Sequence, residues 1–76
     1  MDCLSDMATQ ALKDREHGKI IEKIIRENDE NNESIKNNVS ALALKSEFSY
    51  EEVLCILESF VKWGDLIKHD FYYYFN

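Results

Sequence analysis

A chain of 76 residues with 15 acidic and nine basic side chains, two Gly, no Pro and two Cys reads as one small acidic domain over 1–76. That length excludes a dinucleotide fold with a separate substrate domain, and a barrel enzyme. Two cysteines exclude a disulfide-dense scaffold and a four-cysteine zinc site, and the formal charge of −6 disfavours phosphate-backbone binding, which wants a basic face.

In chain order, Leu4, Met7, Ala8, Ala11 and Leu12 form one helical stripe, with Asp2 or Ser5 as candidate caps. Ile20, Ile21, Ile24 and Ile25 form a second stripe, rotated away from the first, with Gly18 between them. A bend or short break is expected near Gly18, in one helix or between two. Residues 26–38 hold a single apolar side chain, Ile35, among Asn, Asp and Glu. They are expected to form a solvated acidic connector with a loop at 29–33. Ile35, Val39, Leu42 and Ala43 mark a further helix ending near Lys45.

Ser49-Tyr-Glu-Glu52 is a capping box, and Phe48 with Val53 has the spacing of a hydrophobic staple. A helix therefore starts at Tyr50. Val53, Leu54, Cys55, Ile56, Leu57, Phe60 and Val61 cover more than half its circumference, which makes it the central helix. Gly64 is its natural stop in the left-handed region. Asp65 then caps a last short helix that runs through Leu66 and Ile67 into the aromatic tail. No second strand-like segment is evident to pair with that tail, so helix is preferred to strand. The expected fold is all-α, a small bundle of four to five short helices around the apolar helix at about 50–63.

Hydrophobic residues divide unevenly, with 12 in residues 1–38 and 22 in residues 39–76, whereas each half carries a net charge of −3. The core therefore belongs to the second half. A domain of this size buries only about 60% of the surface its unfolded chain exposes, which favours self-association or a stabilising partner. Lys exceeds Arg seven to two, a bias that suits AT-rich coding in a phage or mobile element. No apolar run is long enough to span a membrane, and acidic residues occupy the place of a secretory signal. The two cysteines, Cys3 and Cys55, then read as reduced thiols in a cytoplasmic protein.

Few side chains suggest chemistry. Cys55, His69 and Asp65 form a conceivable nucleophilic set, with Asp65 and His69 one helical turn apart. A cysteine inside an apolar run is instead a small inert hydrophobe. His17, His69, Cys3 and Cys55 are too scattered for a metal site, and two isolated glycines make no phosphate loop. The chain is therefore not expected to be an enzyme or to hold a cofactor.

The run Phe71-Tyr-Tyr-Tyr-Phe75 cannot all point into one small core. Trp63, Asp65, Asp70, Tyr72, Tyr73 and Tyr74 are accordingly the candidate partner-binding residues. The expected function is a small acidic protein-interaction module, a regulator or inhibitor that occupies another protein's surface, with homo-oligomerisation also expected. One alternative is a DNA mimic acting on a nucleic-acid-binding protein. Another is a small helix-turn-helix regulator, although Glu47, Glu51, Glu52 and Glu58 would repel phosphates.

Overall fold

The first helix, α1 (Met7–Glu30), runs without interruption through Gly18. The computed structural model describes residues 7–75, with side chains described from Glu16 onward. The expected Leu4–Leu12 stripe and its caps therefore lie outside the described residues or side chains. Gly18 makes no break. A Cβ there would meet the Phe60 ring at 3.3 Å, so the missing side chain lets α1 approach the central helix closely. Ile21, Ile24 and Ile25 continue the same buried face, while Ile20 is turned partly to solvent.

α1 ends in a Schellman motif. Asn32 has φ 58°, Glu33 N–H donates to Asn28 O at 2.7 Å, and Asn32 N–H donates to Asp29 O at 3.2 Å. Asn tolerates the left-handed region better than most residues, so an Asn-rich segment can close a helix sharply. A single 3-10 turn (Ser34–Lys36) follows, and then α2 (Val39–Ser46). Ile35 belongs to that turn and is exposed, so it does not extend the α2 stripe. Asn38 caps α2, its side chain accepting from Ala41 N–H at 2.9 Å.

The segment expected to be a solvated connector is instead an organised polar cluster around a fully buried Asn37. The Asn37 side chain accepts from Asn28 Nδ2 at 2.8 Å and donates to Asp29 Oδ1 at 3.1 Å. Ser34 Oγ donates to the same Asp29 oxygen at 2.7 Å. A buried amide is tolerated because its donor and acceptor both find partners.

The central helix α3 (Tyr50–Lys62) begins where the capping box predicts. The Ser49 hydroxyl accepts from Glu52 N–H at 3.1 Å. Glu52 does not return the bond, because its carboxylate pairs with His17 of α1. Val53, Ile56 and Leu57 are buried and join Ile21, Ile25, Val39 and Leu42 in the core. A second Schellman motif ends α3: Gly64 has φ 86°, Asp65 N–H donates to Phe60 O at 2.9 Å, and Gly64 N–H donates to Val61 O at 3.1 Å.

Beyond Gly64 the all-α expectation fails. The chain forms an antiparallel hairpin of β1 (Leu66–His69) and β2 (Tyr72–Phe75). The described residues hold three α-helices, a 3-10 turn and this two-stranded sheet, a mixed α/β fold in place of four or five helices. The partner missing for the aromatic tail is Leu66-Ile-Lys-His69, directly before the turn. Alternation resolves the crowding of five aromatics, because successive strand residues point to opposite faces. Leu66, Tyr73 and Phe75 turn toward the helices, while Ile67 and Tyr74 face outward.

Cys55 is also not a reduced thiol; it is disulfide-bonded. The chain's other cysteine, Cys3, lies outside the described residues. The inference of a reducing compartment from free thiols therefore lapses.

Candidate interaction surface

The hairpin is fixed from its inner side. Tyr73 is buried to 1% exposure, and its ring is part of the core. Its hydroxyl donates to Glu58 Oε1 at 3.1 Å, and its backbone N–H donates to Asn37 O at 2.9 Å. In a hairpin with a two-residue loop, the His69–Tyr72 pair exchanges hydrogen bonds, so the Tyr73 N–H points away from β1. Asn37 receives it there. Desolvation pushes the Tyr73 phenol well above its ordinary value; the hydrogen bond to Glu58, the Glu58 charge and Tyr50 push the same way. The Lys68 ammonium lies 3.6 Å from the Glu58 carboxylate and 5.9 Å from the Tyr73 ring centre, closing this small cluster. Tyr73 is thus a structural anchor, contrary to its place among the expected contact residues.

The outer side is different in kind. Ile67 and Tyr74 are directly opposed across the two strands and are 50% and 37% exposed. Directly opposed side chains on one sheet face lie about 5 Å apart at Cβ, so these two form one continuous apolar spot. The solvent face of an antiparallel pair is ordinarily polar. His69 shares this face by alternation and is largely exposed. Tyr72, paired with His69, is half-buried.

The remaining expected contact residues flank this spot. Trp63 is 67% exposed just before β1, its ring edge-on to Phe60 at 6.1 Å. Asp65 is exposed immediately before β1. Asp70 occupies the turn at the far end of β1, 3.5 Å from the His69 ring. The six residues do not form a single patch. Tyr72 and Tyr74 sit on the outer face, Trp63 and Asp65 lie before one end of β1, Asp70 lies at the other end, and Tyr73 faces inward.

Exposed apolar residues outside the expected contact set include Leu44, Tyr50, Ile67 and Phe71. A period-two reading of 66–75 would have found Ile67. Another cluster, at the α1–α3 junction, joins His17 to Glu52 and stacks the His17 ring on Phe48 with 4.1 Å between ring centres. His17 thereby supports the start of α3.

Among the described residues the chemistry considered from the sequence is not assembled. Cys55 is engaged in a disulfide. Asp65 precedes β1 and His69 is its last residue, and the His69 ring pairs with Asp70. Among the described residues no group of three or more His, Cys, Asp or Glu side chains is placed to hold a metal ion. No described helix is long and apolar enough to cross a membrane. The chain matches no protein-family model, and no curated protein or solved structure is significantly similar to it.

Proposed function

We propose that this chain is a small protein-contact module, a regulator or inhibitor that acts by occupying a partner's surface with the outer face of its hairpin. The observation that carries this reading is the Ile67–Tyr74 pair, apolar and exposed on a sheet held rigid from behind by Tyr73. Aromatic residues on preformed elements give contact area at low entropic cost, which is why they dominate interface hot spots.

Charge selects the kind of partner. Asp65 and Asp70 stand at the two ends of β1, and the chain carries −6. A surface with an apolar centre and a basic rim complements this arrangement. A second copy would bring two equally acidic molecules together, so a different protein is preferred to self-association. The exposed charged residues of α3 are Glu51, Glu58 and Lys62, which supply no basic face for a phosphate backbone.

The test compares wild type with the double variant Ile67→Ser, Tyr74→Ser in affinity capture from the source cell at low and high salt. Loss of one reproducible partner in the variant, with unchanged circular dichroism, supports the reading. Retention of the same partners by the variant overturns it. Light scattering identifies the competing occupant: a wild-type dimer that the double substitution dissociates would assign this face to a second copy.

A further inference from the structure

A concave surface lies between α2, the first turns of α3 and the hairpin, an open groove of about 370 Å³. Val39 and Tyr73 are its buried floor, and Leu54 is half-buried beside them. Its rim is aromatic: Tyr50 at 54% exposure on one side, Phe71 at 79% and the half-buried Tyr72 on the other. Phe71 stands out because its position does not call for it. It is the second residue of a two-residue hairpin turn whose first residue, Asp70, has φ 56°. That turn asks only for a special backbone at its first position, and a polar side chain would serve at the second.

We propose that this groove binds a proline-rich peptide in the polyproline II conformation, carrying a flanking Lys or Arg. Three properties of the groove match such a ligand. Proline rings present flat apolar faces that pack between aromatic side chains, and the peptide is already ordered before binding. A polyproline II strand makes no internal hydrogen bonds, so its carbonyls need donors, and the Tyr50, Tyr72 and Ser40 side chains supply hydroxyls around the groove. Lys68 is the one charged residue lining the groove; in sequence next to its rim stand Glu51 beside Tyr50, Glu47 three residues before it and Asp70 beside Phe71, all three exposed. The basic group within the groove, Lys68, is turned to Glu58. A basic residue beside the prolines complements that rim. The chain contains no Pro, so a second copy cannot supply the ligand.

This site adjoins the Ile67–Tyr74 face through Tyr72, which lies on the same side of the hairpin, but neither Ile67 nor Tyr74 lines it. The test is a backbone amide NMR titration of the full chain with a synthetic peptide of consecutive prolines bearing an arginine at each end. The control is a Gly/Ser peptide of equal length with the same arginines. Saturable shifts confined to the neighbourhood of Tyr50, Leu54, Phe71 and Tyr72, absent with the control, are expected. Tyr50→Ala and Phe71→Ser should each weaken binding about tenfold or more, while Ile67→Lys leaves it unchanged. Phe71 is so exposed that its substitution is compatible with folding, which circular dichroism checks. No saturable shifts, an equal response to the Gly/Ser control, or shifts centred on Ile67 and Tyr74 would each overturn the proposal.

Discussion

Replacing Asn37 with Ala removes the two side-chain hydrogen bonds that join the end of α1 to the segment before α2. The backbone bond from Tyr73 N–H to Asn37 O is left in place. A neutral hydrogen bond such as that from Asn28 contributes about 0.5–1.5 kcal/mol, and one to a carboxylate such as Asp29 about 1.5–3 kcal/mol. Asn28 and Asp29 are half-buried, so water reaches them in the variant and holds the loss to about 2–3 kcal/mol. The whole domain should be stable by about 4–11 kcal/mol, so this is a large fraction of the total. The thermal midpoint should fall by about 10–20 °C. Urea and thermal unfolding followed by circular dichroism measure it. A loss below about 0.5 kcal/mol would refute a structural role for the polar cluster. Asn37→Asp sharpens the test, because it sets a second carboxylate against Asp29. The folded variant would hold a proton more tightly than its unfolded chain, so its deficit should shrink as pH falls.

Other outcomes follow from local geometry. The raised Tyr73 phenol keeps its proton in the folded state at pH values where the unfolded chain has lost it. Its contribution is therefore fully present below about pH 10 and is lost as pH rises further, and Tyr73→Phe should remove the latest phase of the phenolate absorbance titration. Glu47 closes α2 with φ 65°, where a side chain costs about 1–2 kcal/mol. Glu47→Gly should therefore stabilise by about 0.5–1 kcal/mol in urea unfolding, after the greater chain entropy of Gly is subtracted. Cys55 should resist alkylation by iodoacetamide in the folded protein until a reductant is added, as mass spectrometry would read.

The helical half of the fold was legible because its signals are local. Ser49 caps α3 through a side chain three residues away, and Gly64 ends it through its own backbone freedom. The hairpin was not legible, for physical reasons. Its first strand contains Lys68 and His69, and only its apolar partners show which face is inward. Its turn, Asp70-Phe71, lacks the glycine that usually announces such a turn. A helix through the tail would set Phe71 and Phe75 one turn apart on one face, whereas strand alternation buries Tyr73 and exposes Tyr74. Asn37 was hidden by its composition. In sequence it is one more polar residue in an Asn-rich stretch, and only the converging Asn28, Asp29 and Tyr73 groups make it a core residue. The proposed surface lies partly on the aromatic tail, but its apolar centre includes Ile67, expected inside the last short helix.

The outer hairpin face is most directly tested by a photo-crosslinking residue placed at position 74 in the source cell. A control carries the same group at position 35, where Ile35 is 70% exposed on the 3-10 turn. The expected result is a discrete adduct with another protein from position 74, absent from position 35 and abolished by adding Ile67→Lys. No adduct from position 74, or the same adduct from position 35, would contradict the assignment of that face as the contact surface.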